Sequence, residues 1–235
     1  MAIDPRKRQK QLAKHRAKRK AKAASSKHSQ PGPSLLGRAM ATLEMEMAMR
    51  GPVDECYAAD NIFDGGMGSV VVSRLSGAGH IGVGVYLIDA YCLGVKDAFV
   101  RLCTYGEFRR LLGDINQTER QKRVEASYAK KLIEDAVAYA RDLGLEPHDD
   151  FKYTSRLLTD IDSSACATEF TFGYNGRPFF IAGPYDSEAR VKQIMEAMAR
   201  KRGAGGYEYL VPISPDTELF LSDQDYEGDD EEMEK

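Results

Sequence analysis

The chain has 235 residues, of which 43% are apolar, enough for one core-forming domain with tails or at most two small domains. No apolar run reaches the roughly 18 residues that a membrane-spanning helix needs. The basic start lacks the apolar core of a secretory signal, so neither a membrane protein nor a secreted one is expected.

The formal charge of −3 conceals a strong asymmetry. Met1 to Gln30 carries 11 Lys and Arg against the single Asp4, a net +10, which leaves −13 on residues 31–235. Leu12 is almost the only bulky apolar residue in this arm, so residues 1–34 cannot bury a face and are expected to be disordered alone. Their Ala, Lys, Arg and Gln content favours helix on a polyanion, whereas an interfacial membrane helix would need an apolar face. At the other end, Asp223, Asp225, Glu227, Asp229, Asp230, Glu231, Glu232 and Glu234 form an acidic tail, which could pair with the arm. The expected organisation is a basic arm (1–34), one globular domain (35–221) and an acidic disordered tail (222–235).

Within the domain, Leu35 to Met49 reads as a helix ended by Gly51-Pro52, and Val53 to Ala59 as a first strand. Two β-branched runs, Ser69 to Leu75 and His80 to Asp89, flank Ser76-Gly-Ala-Gly79 and predict a hairpin. Its second strand is apolar almost throughout, as if covered on both faces. Val95, Phe99, Leu102 and Cys103 recur at helical spacing, which predicts that the strand turns into a helix near Gly94. Thr104 and Glu107 have capping-box spacing for a short helix that Gly113 would stop. Ala129, Leu132, Ile133, Ala136, Val137, Ala140 and Leu143 form the apolar face of a helix expected over 123–143, closed by Gly144 and Pro147. A further helix is expected over 148–159. Thr168 to Tyr174 alternates, Asn175-Gly176 is a two-residue turn, and Arg177 to Ile181 returns, a second hairpin. Asp186-Ser187 opens a helix closed by Gly203, and Tyr207 to Pro212 reads as a last strand. The irregular order of elements predicts an α+β fold with mainly antiparallel sheet packed by several helices.

Asp89 is the sharpest candidate for chemistry, a carboxylate ending the apolar row of Ile81, Val83, Val85 and Leu87. Carboxylates on central strands can hold a divalent metal for phosphodiester hydrolysis, with Asp97 and Glu55 as partners here. The plainer reading is that Asp89 accepts hydrogen bonds from free N–H groups near Gly94. Val95 also stands where one nuclease pattern would place an acid. His148, in Glu-Pro-His-Asp-Asp, is a possible general base, or simply part of a helix cap; His80 reads as a surface residue. The loop Asp64 to Ser69 lacks the Lys-Ser/Thr of a phosphate-binding loop. Phe170, Phe172, Tyr174, Phe179, Phe180, Tyr207 and Tyr209 could stack bases if exposed, but their alternation favours a core. Cys56, Cys92, Cys103 and Cys166 have neither CxxC nor zinc spacing, so buried thiols of a reducing, cytoplasmic compartment are expected and no metal site. No cofactor is implied, apart from the divalent metal of the nuclease reading.

The stretch from Val85 to Ala98, with its Tyr-Cys-Leu-Gly-Val-Lys-Asp core, resembles a segment of uncharacterised bacterial proteins. The run Ala138 to His148 is similar to another stretch of the same proteins, and the resemblance spans residues 53–212. It implies a bacterial domain and carries over no catalytic residue. Function is therefore expected from the arm: Arg6, Lys7, Arg8, Lys10, Lys14, Arg16, Lys18, Arg19, Lys20 and Lys22 would bind RNA, DNA or the ribosome through phosphates without reading sequence.

Overall fold

A meander of antiparallel strands frames the computed structural model, which describes residues 35–77, 79–183, 186–203 and 205–211. Helix α1 (Leu35–Arg50) leads into β1 (Val53–Ala59), and a single turn, α2 (Ile62–Gly65), precedes β2 (Met67–Leu75), β3 (His80–Asp89) and β4 (Gly94–Thr104). Helix α3 (Tyr105–Asn116), β5 (Gln121–Val124) and α4 (Ala126–Asp142) follow. A short α5 (Phe151–Thr154) runs into a 3-10 turn at Ser155–Leu158, and a second 3-10 turn spans Ser163–Ala165. The last elements are β6 (Phe179–Ile181), α6 (Glu188–Arg202) and β7 (Glu208–Leu210). Strand order is β4-β3-β2-β1-β5, all antiparallel, with β6 and β7 a separate parallel pair. This is the mixed α+β class that the sequence predicts. The basic arm, the acidic tail and the end of the expected domain at 212–221 lie outside the described residues. Among the described residues no helix is long and apolar enough to cross a membrane.

Strand alternation divides the core between the two faces of the sheet. Val70, Val72, Tyr86, Ile88 and Ala98 face α4, which buries the expected row Ala129, Leu132, Ile133, Ala136 and Val137 against them. Val71, Ile81, Val83, Val85 and Cys103 face the opposite way, onto Phe108 and Leu111 of α3. Helix α3 also carries the chain from one sheet edge at β4 to the other at β5. A third cluster joins the β3–β4 turn (Cys92, Leu93) to Leu143, Phe180, Ile194 and Met198.

Five local expectations are corrected by this packing. Residues 94–104 are strand β4, not a helix. Val95 and Ala98 serve one core cluster, while Phe99 and Cys103 serve the other, so the strand shows no clean period of two. Residues 121–124 form β5 along β1, so α4 begins at Ala126 instead of 123. The 148–159 stretch holds only one α-turn and a 3-10 turn. Thr168 to Tyr174 alternates as expected but pairs with no strand; only Tyr174 and Arg177 bridge across the Asn175-Gly176 turn. Helix α3 passes Gly113 and ends at Asn116, while its capping box is as expected: Glu107 N–H donates to Thr104 Oγ1 at 3.3 Å and Thr104 N–H to the Glu107 carboxylate at 2.9 Å.

A charged side chain lies wholly inside the sheet layer. Arg74 of β2 is 0% exposed, beside Val53 and Gly82 in the ladder. Its Nε donates to Leu157 O at 2.7 Å and its Nη1 to Gly51 O at 2.6 Å, while the guanidinium forks onto the Asp160 carboxylate. Gly51 is required there, because a Cβ would lie 1.8 Å from Leu75 O. The fork is charge-assisted, and Arg74 holds the Asp160 carboxyl below its ordinary pKa. Nearby, Tyr86 Oη donates to Thr154 O at 2.7 Å, and Arg156 forks onto Glu46 of α1.

Replacing Arg74 by Met strips donors from the carbonyls of Leu157 and Gly51, so chemical denaturation should show a loss of about 2–4 kcal/mol. Asp160→Asn should cost no more than about 1 kcal/mol, because its carboxylate is 68% exposed and solvent-screened. Equal losses in the two variants would mean that the ion pair, not the carbonyl contacts, holds the segment.

Candidate functional site

Asp89 is 1% exposed at the end of β3, opposite Gly94 of β4. Its Oδ1 accepts the N–H groups of Tyr91 at 3.1 Å and Cys92 at 3.0 Å. The carboxylate thus closes the Ala90–Leu93 turn from within, replacing backbone partners that a four-residue reversal cannot supply. Gly94 completes the turn at φ +60°, where a Cβ would lie 2.4 Å from Ala136 O of α4. The N–H groups near Gly94 are therefore where the plainer reading of Asp89 puts them, but they belong to a hairpin turn and not to a helix start.

The other candidate carboxylates do not gather around Asp89. Glu55 accepts Tyr57 Oη at 3.0 Å and Arg109 Nη1 at 3.2 Å, fastening α3 across β1. Its backbone meets Ser73, which pairs with Val83, six residues before Asp89, or about 20 Å along the strand. Asp97, opposite Leu87, does approach His148, with 3.9 Å between Oδ1 and Nδ1. That nitrogen accepts the Asp150 N–H at 3.3 Å. His148 N–H donates to Val95 O at 3.0 Å, so this loop is pinned along the outer edge of β4. Among the described residues no group of three or more His, Cys, Asp and Glu is placed to hold a metal ion.

The remaining sequence candidates have packing roles. The Asp64–Ser69 loop is filled: a Cβ on Gly68 would lie 2.6 Å from Ile62 and 2.7 Å from Ala59, leaving no room for a phosphate. Phe170 lies 5.7 Å from Phe63 and 5.1 Å from Tyr128, and Phe172 stacks on Tyr139 at 5.2 Å. Phe180 is buried, and Tyr174 packs on Tyr91 and Phe179. These rings form a wall and not an open platform for bases. All four cysteines are free; burial pushes the Cys56 thiol up to about 11 and raises that of Cys103, which makes both inert near neutral pH. His80 Nδ1 stands 3.4 Å from Glu44 of α1. The basic residues Arg6 to Lys22 lie outside the described residues.

Sequence reasoning missed Glu119. This buried carboxylate follows α3 and accepts the Ser69 N–H through both oxygens at 3.2 Å, beside the point where the β1–β2 ladder stops at Ala58–Val70. Burial raises its pKa above the ordinary 4.5. Nothing in Gln-Thr-Glu-Arg marks it, since the N–H it serves is 50 residues away.

Asp89→Ala should lower stability by about 2 kcal/mol through the loss of acceptors for two buried N–H groups, measured by urea unfolding. For Glu119, the folded state holds the proton more tightly than the unfolded chain. Its favourable contribution is full below about pH 4.5 and is lost as pH rises through the raised folded value. Glu119→Gln keeps an acceptor for Ser69 and removes the buried charge. Its stability relative to wild type should therefore be highest at neutral pH and decline toward pH 4.5. A pH-independent difference would contradict the assignment. Comparison with known proteins finds no matching family model, no matching curated protein and no matching solved structure.

Proposed function

We propose that the protein is a nucleic-acid- or ribosome-associated binding protein that acts through its first 30 residues. The observation that carries this reading is the segregation of charge, +10 on residues 1–30 against −13 on the remainder. A flexible cationic segment gains affinity for a phosphate backbone by releasing condensed counterions, and it needs no fixed geometry to do so. The acidic remainder repels the same polyanion, so contact is confined to the arm. Two further features fit a binding role: Asp89 is engaged with turn amides, and Glu55 stands far from it, so the carboxylates suggested for a metal-dependent nuclease are separated. Free, largely buried thiols suit a reducing compartment, which supports a cytoplasmic setting, and the resemblance of residues 85–98 and 138–148 supports a bacterial one.

The test is a titration of fluorescent RNA and duplex DNA with the full chain and with a chain lacking residues 1–30. The full chain should lose about 1,000-fold or more in affinity between about 50 and 200 mM salt if it makes six or more phosphate contacts. The shortened chain should bind at least about 100-fold more weakly at the lower salt. Binding that survives removal of the arm would move the function into the folded domain, and no binding by the full chain would overturn the reading.

A further inference from the structure

The stretch between the second 3-10 turn and the Asn175-Gly176 turn has the chemistry of a strand but, among the described residues, no strand beside it. It reads Ala167-Thr-Glu-Phe-Thr-Phe172, rich in residues that favour β-structure. Phe170 and Phe172 turn inward onto Phe63, Tyr128 and Tyr139, while Ala167, Thr168, Glu169 and Thr171 are exposed. Its ends are fixed, Cys166 N–H to Ser163 O at 3.1 Å and Gly173 N–H to Ala90 O at 2.8 Å. Between them, among the described residues, no backbone group of 167–172 makes a hydrogen bond. The chain runs there without turn or bend, held to α4 and α2 by its phenylalanines.

Such an edge is a template for another strand, and proteins normally blunt it with charge or proline. Both edges of the five-stranded sheet carry such charge, Arg101 on β4 and Lys122 and Arg123 on β5. The 167–172 stretch has neither lysine nor proline, and Glu169 is its one charge. We propose that it is an interaction strand, and that its partner is the same segment of a second copy of this chain, paired antiparallel across a two-fold axis.

The sequence is self-complementary in that arrangement. Centred on Phe170, the antiparallel register places Glu169 opposite Thr171 and Thr168 opposite Phe172, so no like charges face each other. A parallel in-register pair would set Glu169 against Glu169, and it is incompatible with a two-fold closed interface. Each copy keeps its phenylalanines on its own α4, so pairing requires no rearrangement of either core. It gives the backbone units of residues 169 and 171, which face the other copy in this register, partners that they lack among the described residues.

Sedimentation velocity on the full chain tests this, at about 500 mM salt so that attraction between arms and tails of different copies is screened. Mass should rise from monomer to dimer over about 1–200 μM, as expected for a contact smaller than a standard interface. Thr171→Pro removes one N–H and blocks the ladder without breaking any hydrogen bond within the chain. It should weaken the dimer at least about tenfold, with an unchanged far-UV circular dichroism spectrum. Hydrogen exchange on the wild-type chain gives a reading independent of that variant's folding. Amides 169 and 171 should exchange freely when dilute and gain protection only at concentrations that populate the dimer. A chain that stays monomeric throughout, exchange that ignores concentration, or a folded Thr171→Pro variant with undiminished association would each overturn the proposal.

Discussion

A fully buried guanidinium on the second strand ties together pieces of chain that lie far apart in sequence. Arg74 reaches the carbonyl that ends α1, the carbonyl of Leu157 and the carboxylate of Asp160, spanning 86 residues of sequence from a single point in the sheet. Taking such a charge out of water is costly, and it is offset by two carbonyls and a carboxylate that accept from Nε, Nη1 and Nη2. The short α5 and the 3-10 turn after it have little helix propensity of their own to hold them. Their place over the sheet follows from Arg74, from Tyr86 bonding Thr154 and from the Arg156–Glu46 fork to α1. The layer covering that half of the sheet is thus fixed by polar atoms as much as by apolar contact.

The same economy governs the acids of the folded part. Asp89 closes a hairpin, Glu119 ends a strand ladder, Glu55 and Arg109 fasten a crossing helix, and Glu107 caps that helix. Each carboxylate stands where backbone or guanidinium donors would otherwise lack an acceptor. Side chains held this way are committed to donors within the fold. That is why the excess of positive charge before residue 31, and not any buried carboxylate, carries the functional reading.

Strand β4 and the 167–172 stretch show the limits of periodicity in opposite directions. In β4 the pattern of apolar residues looks helical because two helices cover its two faces, and each core draws on a different subset of side chains. In 167–172 the pattern is that of a strand, and the side chains do alternate, but whether an extended segment joins a sheet depends on a neighbour that local sequence does not encode. The interval 121–124 shows the same dependence: Gln-Lys-Arg-Val becomes a strand because β1 presents an open edge to it.

The sequence by itself determined the α+β class, the first strands and their hairpin, the apolar face of α4, the capping box of α3 and the division of charge along the chain. These rest on interactions within a few residues or on composition, which the order of amino acids states directly. Only the tertiary structure decided that Asp89 serves a turn, that Glu119 matters at all, that Glu55 and Asp89 are far apart, and that Arg74 belongs inside. Each of those depends on which backbone groups are left without partners once the strands have paired, and hydrogen-bond accounting over 50 to 86 residues exists only in the folded chain.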